Sequence, residues 1–282
     1  MTAPSSWITF RPERTLHLHA PRLRAGEVSV VIPVRDNQPG VIRLLRSIAN
    51  LTELPKEVVV VDNLSQSPLS LPGMPYPVSI VSCHTPGPAA ARNAGAQASR
   101  GEWIWFLDSD CIVQRDALLE FERASGDVIG MAGRVKSSTN RLLGRYYDSQ
   151  EILFPQFAED EEPLYLITAS ACIHRASFFA VGGFDESFPL AAGEDIDLGF
   201  RLFGSGRLAF VHSAIVHHDF EEDTGAFIKR FQRYGLGNRL LAKKYNICLA
   251  PSPFIPNHPT YLKRTLAKIQ YEALLAGYSQ SV

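Results

Sequence analysis

Residues 28–63 read VSVVIPVRDNQPGVIRLLRSIANLTELPKEVVVVDN, and this stretch decides the fold class. It begins with one β-branched run, Val28–Val34, and ends with another, Val58–Val61, as buried strands do. Between the runs, Pro39 suits a first helical turn, and apolar side chains then recur about every 3.6 residues, at Val41, Leu44, Leu45 and Ile48. A strand, a helix and a strand in this order indicate a parallel sheet covered by helices.

The same alternation continues along the chain. Further strands are predicted at Val78–Ser82 and Trp103–Leu107, and the small residues of 88–99 predict a helix between them. We therefore expect an α/β fold with an open, mostly parallel, twisted sheet and helices on both faces. In such sheets ligands bind beyond the carboxyl ends of the strands, so the residues after each strand form the candidate site.

The composition is that of a globular chain. Of the 282 residues, 45% are hydrophobic and 20% charged, which excludes disordered, collagenous and disulfide-scaffold proteins. The four cysteines stand far apart, so a reducing, cytoplasmic location is expected. The apolar runs are strand-sized, short of the roughly 18 to 20 residues that span a membrane, and the N-terminus lacks the apolar core of a signal peptide. We expect neither a membrane span nor export.

Acidic side chains follow three of the predicted strands. Asp36 comes after the first, Asp62 after the second, and Asp108 and Asp110 after the fourth. Carboxylates gathered at one sheet edge repel one another, which indicates a cation or a hydroxyl-rich ligand among them. The alternative is that Asp and Asn simply favour the turns that follow strands.

The triplet Asp108-Ser109-Asp110 directly follows the strand WIWFL. In an extended segment, residues two apart face the same side, so the two carboxylates are predicted to share a site while Ser109 turns away. Two oxygen ligands on one face suit Mg²⁺ or Mn²⁺, whose remaining positions commonly hold phosphates and waters.

A second acidic group opens a predicted helix. Gly193, Glu194 and Asp195 precede apolar residues at helical spacing, so both acids fall in the first turn, where the helix dipole stabilises negative charge. Asp195 is therefore expected to stay ionised near neutral pH unless burial opposes it. Asp197 and Arg201, four residues apart, are interpreted as an ion pair on the helix surface. The alternative for Asp195 is an N-terminal helix acid without a chemical role.

His217 and His218 follow two apolar, strand-like runs, Leu208–Val211 and Ala214–Val216. Their place at a strand end makes one of the pair a candidate metal ligand, although a histidine at such a position is more often structural. The sequence contains no phosphate-binding G-x-x-x-x-G-K-[ST] loop, no G-x-S-x-G nucleophile elbow and no H-E-x-x-H zinc helix.

Six segments, taken in order, resemble the family 2 glycosyltransferases, inverting enzymes of the GT-A fold that use nucleotide-diphospho-sugars. The segments are VSVVIPVRDN, VVVVDNLS, ARNAGAQASRGEWIWFLDSDC, VGGFDESFPLAAGEDIDLGFRLFGSG, VHH and RYGLGN, and together they cover roughly residues 28 to 240. We therefore expect a GT-A domain (28–222) with a nucleotide-binding half (about 28–132) and an acceptor half (about 133–222). An N-terminal extension (1–27) is expected before it and a C-terminal helical basic segment (223–282) after it.

The resemblance also implies which positions bind the donor. Eight positions match donor-binding residues of the family: Pro33, Val34, Asp36, Asp62, Arg92, Asp108, Ser109 and Asp110. Asp110 also matches a ligand of Mn²⁺ or Mg²⁺ in the family. A histidine matches a further metal ligand, and His217 is preferred over His218 for this position. Many relatives carry a glutamate at the position of Asp36 and a second acid at that of Asn63, so the nucleotide preference stays open, with a UDP-sugar as the expected donor.

The remaining matches concern the chemistry and the acceptor. Asp195 matches the catalytic base, and Gly193 and Glu194 match residues beside the acceptor. The implied reaction is a metal-dependent, inverting transfer of a sugar to an acceptor hydroxyl. The acceptor itself is open among glycans, lipid-linked carriers, peptides and small natural products, and no nucleic acid is expected as a partner.

Two alternative functions differ in what they need from the sequence. A sugar-phosphate nucleotidyltransferase typically carries a glycine-rich basic loop after the first strand, where this chain has only VRDN. A catalytically silent nucleotide-sugar-binding protein would not need the intact D-x-D triplet and Glu-Asp pair.

The near-neutral net charge of -1 conceals a basic segment. Residues 224–271 hold nine Lys and Arg residues and no acid, with Phe227, Phe231, Tyr234 and Leu241 interleaved. We expect this segment to close over the diphosphate, to meet an anionic acceptor, or to make peripheral membrane contact through residues 227–268, at the inner membrane face. The alternative is a plain, solvated basic helix.

Overall fold

The computed structural model describes residues 12–15, 17–158, 160–220 and 223–280. Within them one sheet is built from β1 (Val28–Val34), β2 (Glu57–Asp62), β3 (Val78–Ser82), β4 (Trp103–Leu107), β5 (Cys111–Val113), β6 (Gly130–Ser137), β7 (Ser170–His174) and β8 (Leu208–His218). The α-helices are α1 (Gln38–Ile48), α2 (Pro88–Ala98), α3 (Ala117–Ala124), α4 (Leu142–Ser149), α5 (Arg175–Ala180), α6 (Glu194–Phe203), α7 (Thr224–Tyr245) and α8 (Tyr261–Tyr278). The strands and helices predicted between residues 28 and 107 are confirmed.

The strands follow the order β3-β2-β1-β4-β7-β6-β8-β5 across the sheet. β1 pairs in parallel with β2 and β4, β2 with β3, and β6 with β8, whereas β7 and β5 run antiparallel to their neighbours. The sheet is therefore mixed but mostly parallel, as predicted. Because β2, β1 and β4 are adjacent and parallel, their carboxyl ends meet at one edge.

Apolar side chains bury both faces of the central strands. β4 is buried at every position, and β1 at all but Pro33. This continuous burial is the property expected of a strand covered on both sides. The apolar stripe predicted on α1 is buried as well, and Asn37 caps that helix by accepting a hydrogen bond from the Gly40 N–H at 3.1 Å.

The C-terminal helices α7 and α8 pack against each other and against α4. Gly235 and Gly277 allow the close approach of α7 and α8, because a Cβ at either position would collide with backbone atoms of the other helix. A satellite core joins the helices: Leu143, Tyr146, Tyr147, Phe220, Phe227, Phe231, Leu266, Ala273 and Leu274. The aromatic residues of α7 thus face inward, and the alternative of a freely solvated basic helix is wrong.

The described part of the N-terminal extension also packs on the rest of the chain. The Thr15 N–H donates to the Gly204 carbonyl at 2.8 Å, and Arg14 pairs with the buried carboxylate of Glu162 at 2.7 Å. Trp7 and Phe10, which the sequence suggests as anchors of an edge strand, lie outside the described residues. Among the described residues, no helix has both the length and the apolar character needed to cross a bilayer.

Candidate active site

The ends of β2, β1 and β4 bring the first predicted site residues together. In the sheet register, Val34 lies opposite Asp62, and Pro33 lies opposite Val61. The side chain of Asn37, just after β1, donates to the Ser109 hydroxyl at 3.1 Å and so connects β1 to the turn after β4. The three strand ends therefore form one continuous edge, as the sequence predicts.

Asp36 and Asp62 share one turn, formed by residues 64–66. Asp62 accepts a hydrogen bond from the Ser65 N–H at 3.1 Å, and Asp36 accepts one from the Gln66 N–H at 2.7 Å. The Asp36 N–H in turn donates to the Ser65 hydroxyl at 3.0 Å. These bonds hold both carboxylates at the same end of the edge, beside Pro33 and Val34.

The D-x-D triplet forms a turn, which differs from the extended segment predicted above. A hydrogen bond from the Cys111 N–H to the Asp108 carbonyl at 3.1 Å closes the turn, because the chain reverses there into β5. β5 pairs with the end of β8, with Cys111 opposite His218. This pairing places Asp110 Oδ1 3.4 Å from His218 Nε2, and side-chain ligand atoms of Asp108, Asp110 and His218 all lie within 4.8 Å of one another.

The preference for His217 over His218 is corrected by this geometry. Adjacent residues of a strand point to opposite faces, and only His218 faces the two aspartates. His217 lies 3.1 Å from Gln114 through Nε2 and 3.2 Å from the Ser137 carbonyl oxygen through Nδ1. It is therefore occupied outside the acidic cluster.

The residues of this cluster fit a divalent cation. Burial raises the pKa of Asp110, and the charge of Asp108 adds to the rise while that of His218 opposes it. His218 is 4% exposed, stacks on Phe220 at 4.5 Å, and its Nδ1 has no hydrogen-bond partner among the described residues. Two carboxylates and an imidazole held this close are ligands that suit Mn²⁺ or Mg²⁺.

Arg92, on α2, connects the two acidic groups of the site. Its guanidinium is 3% exposed and donates to Asp108 at 2.8 Å and to Glu194 at 2.9 Å. Burial raises the pKa of Asp108, but Arg92 and His218 outweigh it, so this carboxyl titrates below its usual range. Glu194 is itself buried and lines the cleft, and its second carboxylate oxygen has no hydrogen-bond partner among the described residues. Its contact with the acceptor stays a prediction.

Asp195 lies in the first turn of α6, as predicted. Gly193 directly precedes the helix with a φ of 91°, a left-handed conformation that favours glycine. Burial raises the pKa of Asp195 to about 7, the charge of Glu194 adds to the rise, and Arg92 opposes it. Burial therefore outweighs the helix dipole, and Asp195 is not the fully ionised carboxylate expected from its position alone.

Asp197 is not the surface residue that its spacing from Arg201 suggests. Its side chain is fully buried and pairs with Arg201 at 2.6 Å and with Lys244 at 2.5 Å, and it accepts a hydrogen bond from the Tyr245 hydroxyl at 2.8 Å. Because Lys244 and Tyr245 belong to α7, this network fixes the C-terminal helices to the helix that carries Asp195.

A cleft of about 500 Å³ opens between these elements. Arg92, Asp108, Asp195 and His218 line its charged end, together with Arg230 of α7. The Arg230 guanidinium lies over the rings of Phe220 and Tyr147, with centroids 5.2 and 5.7 Å away, and it is close enough to lower the pKa of Asp108 and Asp110.

Sequence analysis did not single out Arg230 from the basic segment that it expected to close over the diphosphate, to meet an anionic acceptor or to contact a membrane. The available signal was its position one residue before Phe231, which is buried. Docking of α7 onto α4 and α8 places the Arg230 guanidinium near the acidic cluster.

Comparison with known proteins identifies the family of this chain. The sequence model of the family described as "Glycosyl transferase family 2" matches residues 29–178, more than half of the chain. The chain therefore belongs to the family 2 glycosyltransferases, as the resemblance of its motifs implies. This membership sets aside the nucleotidyltransferase alternative.

Curated relatives are similar over most of this chain. The pre-mycofactocin glycosyltransferase of Mycobacterium tuberculosis (strain ATCC 25618 / H37Rv) is 32% identical over 241 residues, which are 80% of this chain and 49% of the relative. The succinoglycan biosynthesis protein ExoM of Rhizobium meliloti (strain 1021) is 30% identical over 241 residues, 76% of this chain and 77% of the relative. The chain thus spans about half the length of the first and three quarters of the second.

Solved structures show the fold. The mannosyltransferase PcManGT from Pyrobaculum calidifontis, in complex with GDP-Man and Mn²⁺, has a TM-score of 0.59 at 18% sequence identity. The match covers 97% of this chain and 79% of the PcManGT chain. TarS 1–349 from S. aureus, in complex with UDP-GlcNAc, has a TM-score of 0.53 at 15% sequence identity. The match covers 90% of this chain and 73% of the TarS chain. The predicted GT-A-like fold is thereby confirmed.

Proposed function

We propose that this glycosyltransferase moves a sugar from a nucleotide-diphospho-sugar to an acceptor hydroxyl by a single displacement with inversion at the anomeric carbon. The observation that carries the proposal is that Asp195 lines the same cleft as Asp108 and His218, whose ligand atoms lie within 4.8 Å of Asp110. A base and a site for the leaving diphosphate are the two elements that this displacement needs.

Asp195 is the proposed general base. Its carboxylate accepts the proton of the acceptor hydroxyl while the hydroxyl oxygen forms a bond to the anomeric carbon. The bond between that carbon and the diphosphate oxygen breaks, and its electron pair leaves with the diphosphate. A positioned base of this kind typically contributes about 10²–10⁴-fold to the rate.

Asp110 and His218, with Asp108 beside them, are the proposed ligands of a Mn²⁺ or Mg²⁺ ion. When bound, the ion offsets the negative charge that grows on the departing diphosphate. Arg92 holds Asp108 in place through its hydrogen bond at 2.8 Å. Gly193 contributes by setting the direction in which α6 presents Asp195 to the acceptor.

Pro33, Val34, Asp36 and Asp62 are the proposed nucleoside side of the donor site, with Ser109 next to the phosphates. Their placement along one sheet edge supports this assignment. We propose a UDP-sugar as the donor. The two solved neighbours were crystallised with a UDP-sugar and a GDP-sugar, so both nucleotides belong in the test.

Donor hydrolysis tests the proposal without knowledge of the acceptor. Nucleotide release is measured with UDP- and GDP-sugars in the presence of Mn²⁺, Mg²⁺ or a chelator. We expect release from UDP-sugars that requires the metal. Undiminished release in chelator would contradict the metal site, and no release from any donor would favour the silent binding protein.

The pH dependence of turnover follows from the state of Asp195. A base must be deprotonated to act, and burial raises the pKa of Asp195 to about 7. We therefore expect kcat/KM to fall about tenfold between pH 8 and pH 6. Glu194→Gln removes a neighbouring charge that raises this pKa, so the fall should move to lower pH. A profile that is flat from pH 6 to 8 would contradict Asp195 as the base.

Arg230 is the proposed counter-charge to the diphosphate from the C-terminal helices. We expect Arg230→Gln to lower kcat/KM for the donor about 10²-fold, as the loss of one electrostatic donor to a leaving group typically does. Lys229→Gln is the matched control, since Lys229 is the exposed neighbour on the same helix. Equal kcat/KM in the two variants would remove Arg230 from the site.

Residues 255–264, which lead into and begin α8, are the proposed place of the predicted peripheral membrane contact. Ile255, Tyr261 and Leu262 are 69%, 88% and 47% exposed, and Lys263 and Arg264 follow them directly. Apolar side chains beside cations are typical of surfaces that bind anionic lipid headgroups. By contrast Lys244, in the same basic segment, is bound to Asp185 and Asp197 and is unavailable to a membrane.

Vesicle sedimentation tests this contact with and without phosphatidylserine. We expect Lys263→Glu with Arg264→Glu to weaken binding to the anionic vesicles at least about tenfold. The control carries Lys56→Glu with Arg100→Glu, two exposed cations near the amino end of β2. Equal binding of both double variants, or no binding by the unmodified protein, would reject the membrane contact.

A further inference from the structure

The cleft beside Asp195 extends away from the nucleoside side of the site. Its lining includes Arg92, Asp108 and Asp195 but not Asp36 or Asp62, which lie at the far end of the sheet edge. A donor that spans from Asp62 to the D-x-D turn would therefore enter this cleft only with its sugar and phosphates. The remainder of the cleft is free for the acceptor.

The walls of this remainder are apolar and aromatic. The segment between α4 and β7 contributes Ile152, Leu153, Phe154 and Phe157, and Phe254 and Leu274 complete the walls from the C-terminal part of the chain. Most of these side chains are only partly buried and so present free surface to the cleft. An apolar partner that covers such surface gains about 25 cal/mol for each Å² removed from water.

Four amide side chains line the cleft, those of Gln150, Gln156, Asn238 and Gln270, and two of them are engaged within the protein. Gln150 accepts from the Asn257 N–H at 2.8 Å and donates to the Asn257 carbonyl at 3.2 Å, and Gln270 accepts from the Tyr146 hydroxyl at 2.8 Å. Hydroxyl groups of a glycan that entered the apolar part of the cleft would lose their hydrogen bonds to water and meet apolar walls, which costs free energy. This part of the cleft therefore disfavours an acceptor covered with hydroxyl groups.

We propose that the acceptor is a hydroxyl compound built on an aromatic or alkyl scaffold, which fills the apolar part of the cleft and directs one hydroxyl toward Asp195. The proposal rests on the proposed function, because Asp195 defines the end at which the hydroxyl reacts. A volume of about 500 Å³ suits a small molecule or the apolar end of a larger one.

Binding of two matched glycosides tests the proposal. 4-Nitrophenyl β-D-glucopyranoside and methyl β-D-glucopyranoside present the same sugar hydroxyls and differ in the apolar group. Their dissociation constants are measured by ligand-observed NMR without donor or metal. We expect the aryl glycoside to bind at least about tenfold more tightly. Equal dissociation constants, or tighter binding of a linear oligosaccharide, would overturn the proposal.

Neighbouring residues supply the matched variants. Phe254 lines the cleft, whereas Ile255 is exposed outside it. We expect Phe254→Ala to weaken binding of the aryl glycoside about tenfold and Ile255→Ala to leave it unchanged. Ala191→Trp, which adds a ring to an exposed position of the lining, should block the same binding. Unchanged binding in Phe254→Ala and Ala191→Trp, both with an unaltered melting temperature, would place the ligand elsewhere.

This binding measurement is independent of the reaction. If donor hydrolysis fails but the aryl glycoside binds with the expected Phe254 dependence, the proposed transfer is wrong and the apolar site stands. If hydrolysis succeeds and the aryl preference is absent, the transfer stands and the acceptor class is wrong.

Discussion

Asp195→Asn is expected to reduce sugar transfer by about 10²–10⁴-fold, because the amide cannot accept the proton of the acceptor hydroxyl. The substitution keeps the size of the side chain and removes a carboxyl group whose pKa burial already raises to about 7. The fold and the metal cluster should therefore persist, and nucleotide binding should stay nearly unchanged. The effect is measured as kcat for transfer, with nucleotide binding followed by calorimetry in the presence of Mn²⁺.

Asp127→Asn is the control for this substitution. Asp127 is 63% exposed, pairs with His19 at the surface and does not line the cleft. Its loss should leave kcat and nucleotide binding at the level of the unmodified protein. Retained turnover in Asp195→Asn would remove Asp195 from the chemistry, and loss of nucleotide binding together with turnover would indicate a structural role instead.

Arg92→Leu is expected to destabilise the protein by about 3–5 kcal/mol, because it leaves the buried carboxylate of Glu194 and the partly buried carboxylate of Asp108 without their common partner. Arg92 is 3% exposed, and one oxygen of Glu194 already lacks a hydrogen-bond partner among the described residues. Sugar transfer should be lost as well, because Arg92 no longer holds the Asp108 side chain in its place in the metal cluster. Urea unfolding gives the free energy, and the loss should be smaller in acid, where the carboxylates are protonated.

Arg43→Leu provides the comparison for a solvent-exposed pair. Arg43 and Asp219 are 3.1 Å apart and about half exposed, so this substitution should cost about 0–1 kcal/mol. Equal free energies of unfolding for Arg92→Leu and Arg43→Leu would contradict the role of Arg92 as the bridge between the two acidic groups.

The strands and helices of the nucleotide side were predictable because local patterns determine them. The β-branched run of β1 and the helical spacing of Val41, Leu44, Leu45 and Ile48 are properties of neighbouring residues. Asp62 and the D-x-D triplet were likewise predicted as site residues because each directly follows a strand, which requires no knowledge of the rest of the fold.

The choice between His217 and His218 was not predictable in the same way. The two residues point to opposite faces of β8, and which face meets the D-x-D turn depends on the pairing of β5 with β8. That pairing joins positions about a hundred residues apart, so neither local spacing nor composition contains it.

Burial accounts for the other differences. The helix dipole predicts an ionised Asp195, but burial raises its pKa. The four-residue spacing predicts an exposed Asp197, but Lys244 and Tyr245 of α7 bind its side chain. Docking of α7 onto α4 and α8 brings Arg230 to the acidic cluster, and it depends on the close approach of α7 and α8 that Gly235 and Gly277 permit. These are properties of helix docking, which hydrophobic periodicity does not specify.

The stereochemistry of the product is the most direct measurement of single displacement by Asp195. The purified product formed from an α-linked UDP-sugar is examined by NMR, and the coupling between H1 and H2 gives its anomeric configuration. We predict the inverted, β-linked product. A retained, α-linked product would contradict the single displacement and with it the role of Asp195 as the base.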